Sequence, residues 1–229
     1  MGYDPSVDSR VIPLFPLNVV LFPGMVLPLR IFEPRYRLMV RRILAGDRQF
    51  GVSLIQEGVE VAGPATPHDV GTIAEITGHE LLPDGQIMIV AVGVRRFNLL
   101  RRIEGEPYQQ GEVTLIEEGD PEGAIDAALI ETATATLGRY LKALANVTNI
   151  NVSLPDEPLS PIDLSYLMAA TVQVDNERKQ DLLETVELEP RLRKALALIE
   201  RENQRIDAFL AKGRTRGDFF YRGNRMSSN

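Results

Sequence analysis

Cysteine is absent from the 229 residues, which removes disulfides, thiolate zinc sites, iron–sulfur clusters and cysteine nucleophiles together. Histidine is nearly absent. His68 and His79 stand alone, beside Asp69 and Glu80, without the helical two-ligand spacing of a metal site, so no metal is expected. Lysine occurs only at Lys142, Lys179, Lys194 and Lys212, none of them within the glycine-rich loop that cradles nucleotide phosphates. A G-x-S-x-G nucleophile elbow is missing too, Ser53 lying between Val52 and Leu54 in a strand-like run. Long unbroken apolar runs are also lacking. The amino terminus carries Asp4, Asp8 and Arg10, and prolines interrupt the apolar stretch that follows, so neither a leader nor a membrane span is expected and the location expected is cytoplasmic. Net charge is −7, with cationic excess confined to the carboxy-terminal tail, which disfavours a nucleic-acid surface on the main body.

With 44% hydrophobic and 25% charged residues the composition is that of an ordinary globular protein. From Ile12 the chain reads as short apolar runs cut by Pro13, Pro16, Pro23, Gly24 and Pro28, which exclude a helix and predict short strands. At Glu33-Pro34 the period changes. Tyr36, Met39, Val40, Ile43 and Leu44 recur at helical spacing, Pro34 suits the first position and Gly46 the stop. Strands are predicted over 50–56 and 70–82, and Pro83-Asp84-Gly85 supplies the turn that folds the next run back antiparallel. Ile87 to Val92 is apolar without alternation, which predicts a central strand buried on both faces. Gly93 permits a bulge before Arg95, and two further strands follow, over 98–104 and 108–117. Between Glu118 and Gly123 the strand signals stop. Helices are predicted over 124–145, from the Ser160-Pro161 cap and first turn through Ala170, over 177–184 opened by the pair Asp175-Asn176, and from Pro190. The expected organisation is a β-rich subdomain over 1–118, a helical subdomain over 119–212 and a basic tail, read as flexible, over 213–229.

The opening run Pro13-Leu14-Phe15-Pro16-Leu17, Val19-Val20, Phe22-Pro23-Gly24-Met25 and Pro28-Leu29 resembles the hallmark of the amino-terminal substrate-binding domain of the Lon protease family. The resemblance continues through Asp69 to Ile76, Leu82 to Gly85 and Val92 to Phe97, and reaches Glu202 through the helical half. It implies an α+β fold: a small mixed or antiparallel, barrel-like sheet of the PUA-like kind with one helix, followed by a helical bundle. It also implies protein recognition. The nucleotide-binding and serine–lysine peptidase parts of that family have no counterpart in these residues, so the chain is expected not to be an enzyme and to use no cofactor.

Under that reading the partners are unfolded or extended protein segments, and a separate ATP-dependent protease to which the chain acts as adaptor. Three surfaces are candidates. Arg35, Arg37, Arg41 and Arg42 lie opposite the apolar face of the first helix, either as a solvated face or as a docking surface for acidic segments. In the tail, Arg214, Arg216, Arg222 and Arg225 bracket Phe219, Phe220 and Tyr221, a pattern that can anchor in a protein groove or stack on bases. The latter option is the alternative reading, an RNA-binding PUA-like module. In the last helix Leu192, Leu196, Ile199, Asn203 and Ile206 form a heptad seam that either seals an internal bundle or pairs two chains as a homodimer. Glu117-Glu118 reads as a solvated loop.

Overall fold

A computed structural model describes residues 9–60, 65–118, 125–148, 154–155 and 157–211. Among these residues seven strands and five helices follow in the order β1 (Ser9–Leu17), β2 (Val26–Ile31), α1 (Pro34–Leu44), β3 (Gln49–Gly58), β4 (Ala65–Pro67), β5 (Val70–Leu81), β6 (Ile87–Ile103), β7 (Gln110–Leu115), α2 (Ala127–Thr148), α3 (Pro161–Thr171), α4 (Asn176–Glu184) and α5 (Leu188–Leu210). They group into two units. One comprises Met1–Gly119 with Asp175–Val186, the other Asp120–Val174 with Glu187–Asn229.

In the first unit the strands run β1-β7-β6-β5-β3-β4, with β2 beside β6. All pairings are antiparallel except β1 with β3. The sheet curls because β1 divides its length, pairing residues 9–13 with β7 and residues 14–17 with β3. Pro13 sits at that changeover, where Leu14 N–H donates to Gln109 O. One strand therefore passes through both Pro13 and Pro16, where the sequence predicted breaks. The two strands expected around Gly93 are likewise one, β6, with a register shift between Ile73 and Ala74 of its partner. Gly93 is needed there because a Cβ would run into the Phe22 carbonyl oxygen. At the β5–β6 turn Gly85 takes φ +79°, as a glycine can.

Helix α1 buries Tyr36, Met39, Val40 and Ile43 against Leu21, Ile31, Phe50, Ile76 and Ile87. The Phe15 and Tyr36 rings stack with centroids 4.0 Å apart. A smaller cluster of Ile12, Leu14, Ile73, Phe97, Leu99 and Val113 fills the other end of the sheet.

Helix α4 was expected in the helical subdomain, yet it belongs with the sheet. Its Gln180 side chain donates to Val70 O at 3.0 Å, and Asn176 donates to Asn18 O at 3.0 Å. Its carboxy-terminal end is held by Arg96, which is wholly buried and donates to Leu183 O at 2.7 Å, Thr185 O at 2.9 Å and Glu118 Oε1 at 2.9 Å. The carbonyls at a helix end lack helical partners and carry partial negative charge, so a buried guanidinium is a complementary cap. Glu118, read from sequence as a solvated loop residue, is the counter-ion in this arrangement.

The second unit packs α2, α3 and α5 around Leu137, Tyr140, Leu141, Leu164, Leu192 and Ile199. Ser160 caps α3 by accepting from Asp163 N at 3.1 Å, with Pro161 at the first position. Tyr140 OH accepts from Gln173 N–H at 3.1 Å, and burial pushes its phenol up to about 12.

Candidate protein-recognition surface

The run from Ile87 to Val92 fixes the geometry of this surface. Ile87, Ile89 and Ala91 point into the core, whereas Met88, Val90 and Val92 point the other way and remain accessible, Val90 by 41%. Burial on both faces, the expectation from unbroken apolar character, is therefore not what occurs. The sheet's inner face takes α1, and among the described residues the outer face at β6 has no such layer.

Cross-strand register extends this face over three strands. Val26 lies opposite Val92, and Val92 opposite Glu75; Pro28 lies opposite Val90, and Val90 opposite Gly78; Arg30 lies opposite Met88, and Met88 opposite Glu80. Side chains directly opposite on one face touch. The result is an apolar strip of Val26, Pro28, Met88, Val90 and Val92, bounded by Arg30 at one margin and by Glu75 and Glu80 at the other. Val26 is 56% exposed. Arg30 donates from Nε to Gln86 Oε1 at 2.7 Å and sits 3.6 Å from Asp84.

Strand β2 forms one margin because, among the described residues, it pairs only with β6. Gly93 N–H donates to Met25 O at 3.0 Å, flanking the Val26–Val92 pair. In an antiparallel ladder that bond places Val26 and Val92 in a non-hydrogen-bonded pair. The N–H and C=O groups of Leu27, Leu29 and Ile31 thus face β6, and those of Val26 and Arg30, with the carbonyl of Pro28, face outward. Pro28 occupies a position where its missing N–H costs the ladder nothing.

The sequence-predicted residues are placed differently. Arg35 pairs with Glu33 at 3.0 Å and lies 4.6 Å above the Tyr36 ring, while burial raises the Tyr36 phenol despite that neighbouring cation. Arg37 donates to Gly85 O at 3.1 Å. Arg42 bonds Glu106 at 2.5 Å and Tyr108 OH at 3.1 Å, and those two hydrogen bonds raise its own pKa. Arg41 is exposed and makes no hydrogen bond or ion pair to a described residue. Three of the four guanidiniums thus hold the first unit's own loops rather than standing together as one open cationic face. Phe219, Phe220 and Tyr221 lie outside the described residues. Along α5, Leu192, Ile199, Asn203 and Ile206 are buried in their own unit and Leu196 is partly buried, so the seam is occupied internally.

Among the described residues no group of three His, Asp or Glu side chains is placed to hold a metal, and no helix is long and apolar enough to cross a membrane. The strip was missed by sequence reasoning, although a signal for it existed. The β-rich half contains a single predicted helix, and one helix covers one face of a sheet.

Comparison with known proteins agrees with this architecture. The chain is 30% identical over 210 residues to a Lon protease of Roseiflexus castenholzii, covering 88% of this chain and 25% of that one. It is 31% identical over 206 residues to Lon protease 2 of Herpetosiphon aurantiacus, covering 86% of this chain and 24% of that one. It therefore spans about a quarter of the length of these curated relatives. The crystal structure of a Lon N-terminal domain protein from Xanthomonas campestris superposes with a TM-score of 0.59 at 26% identity, covering 82% of this chain and 98% of that one. The N-terminal domain of the Mycobacterium avium complex Lon protease shares the fold, with a TM-score of 0.60 at 20% identity over 83% of this chain and 98% of that one. Residues 11–201 match the family described as the ATP-dependent protease La (LON) substrate-binding domain, and the chain belongs to that family.

Proposed function

We propose that this chain is a non-catalytic recognition module that holds exposed apolar, extended segments of other proteins on the outer face of β2, β6 and β5. It does so in the cytoplasm, as adaptor to a separate ATP-dependent protease. The observation that carries the reading is the strip of Val26, Pro28, Met88, Val90 and Val92, left open on a sheet whose other face is closed by α1. Membership of a substrate-binding family supports it. Aliphatic side chains held rigidly on a sheet bury apolar area of a partner at little ordering cost.

Fluorescence anisotropy with a permanently unfolded, labelled protein tests it. Val90→Asp sets a charge in the middle of the strip at a position already in water, so binding should fall at least tenfold while the denaturation midpoint stays in place. Equal binding by parent and variant refutes the assignment of this face. Hydrolysis of the labelled protein by the purified chain, with or without nucleotide, refutes the non-catalytic reading.

A further inference from the structure

The outward margin of β2 is more specific than an apolar face. We propose that it accepts one extended partner segment as an added antiparallel strand, with an acidic residue of the segment opposite Arg30 and aliphatic residues opposite Pro28 and Val26. This inference rests on the recognition reading above and states its chemistry.

Three features of the strand support it. The outward N–H and C=O groups of Val26 and Arg30 and the outward carbonyl of Pro28 make no hydrogen bond to a described residue, and they lie in line at alternate positions. Such a row is a template for strand addition. The second feature is charge. An added strand places its side chains next to Val26, Pro28 and Arg30 along the same three rows, so aliphatic groups prolong the first two and a carboxylate meets Arg30 in the third. Arg30 is 60% exposed in its side chain, and its guanidinium has donors beyond those used by Gln86 and Asp84.

The third feature is Pro28, which selects against a second copy of the same chain. Two β2 strands pairing about a twofold axis would align Val26 with Arg30 and set the Pro28 carbonyl against its own counterpart, with no donor on either side. A foreign segment that carries an N–H at that position satisfies the Pro28 carbonyl and forgoes only one bond. Proline on an exposed edge is a known device against self-pairing. Here it leaves the edge usable by a different polypeptide.

The probe is a fluorescein-labelled synthetic peptide with aspartate, valine and valine at alternate positions and threonines between. It is compared with two versions, N-methylated either on the amides of the aspartate and valines or on the threonine amides. The first set faces β2 in the added strand and the second faces away. Methylating the first set should weaken binding at least about tenfold, whereas methylating the second should change it less than about twofold, since each backbone bond contributes about a fivefold factor. Pro28→Thr, which supplies the absent donor, should tighten binding about fivefold. A peptide with lysine in place of aspartate should bind weakly to the parent and recover with Arg30→Glu. If both methylated sets bind like the parent peptide while Val90→Asp still abolishes binding, strand addition is overturned and the recognition face survives. If neither the peptide nor an unfolded protein binds at all, the recognition reading falls and takes this inference with it.

Discussion

Replacing Arg96 by methionine tests the account of how α4 is fastened to the sheet. The guanidinium is wholly buried and caps the end of a nine-residue helix through Leu183 O and Thr185 O, with Glu118 as its counter-ion. Methionine keeps the length of the stem and removes all these donors. Hydrogen bonds from a charged donor contribute about 1.5–3 kcal/mol each. Glu118 retains a quarter of its side-chain exposure and can turn to water, which lowers the total. Loss of one partner from a buried ion pair costs about 3–5 kcal/mol, and that range is the expectation here. Because the acceptors sit on α4, the loss should appear as local opening. Amide exchange over residues 177–185 should accelerate by about two to three and a half orders of magnitude, one for each 1.4 kcal/mol. Amides of β5 and β6 should keep their protection. Arg96→Lys retains the charge but not the fork that serves several acceptors, so it should fall between the two. If exchange in α4 changes less than threefold, or if the sheet opens equally, Arg96 is not the fastening.

Gly24 and Gly93 should respond differently to alanine. Gly24 has φ +79° and nothing within 4 Å of a Cβ position, so Gly24→Ala should cost about 1 kcal/mol, whereas Gly93→Ala drives a methyl into the Phe22 carbonyl and should cost about 3 kcal/mol or more, both read by urea denaturation. Phe15→Ala removes the ring stacked on Tyr36 and should cost about 3–5 kcal/mol in the same assay. Tyr140 ionises at about 12 when folded against an ordinary 10.0, so the folded state keeps a proton that the unfolded chain releases. Its contribution is whole below pH 10 and drains away as pH rises towards 12. Tyr140→Phe should flatten that part of the stability profile, as measured by circular dichroism of thermally unfolded samples across the range.

Elements with local signatures were legible in the sequence. Helix α1 shows Pro34 at its start and a helical period, α3 and α4 have Ser160 and Asp175 in capping position, and the β5–β6 turn is written in Pro83-Asp84-Gly85. What failed depended on partners far along the chain. Pro13 and Pro16 looked like strand breaks because nothing local says that β1 changes neighbours between Pro13 and Leu14. The apolar run of β6 looked buried on both sides because side-chain type does not record whether a second layer exists. The arginines of α1 looked like an open patch because helical periodicity gives direction but not the Glu33, Gly85, Glu106 and Tyr108 that meet them. Helix α4 was assigned by proximity to its helical neighbours, while the buried cation that claims it lies 89 positions away from Thr185.

That last distance shapes how the molecule is made and cut. The polypeptide passes from one unit to the other at Gly119–Asp120, at Val174–Asp175 and again at Val186–Glu187. A fragment ending at Glu118 would take the Leu183 and Thr185 carbonyls from Arg96 and the Gln180 amide from the Val70 carbonyl, so the sheet unit cannot be isolated intact by trimming at the obvious boundary. During synthesis the same guanidinium emerges from the ribosome well before its acceptors exist, and the sheet waits in an unfinished form until the helix from the far half of the chain arrives to seal it.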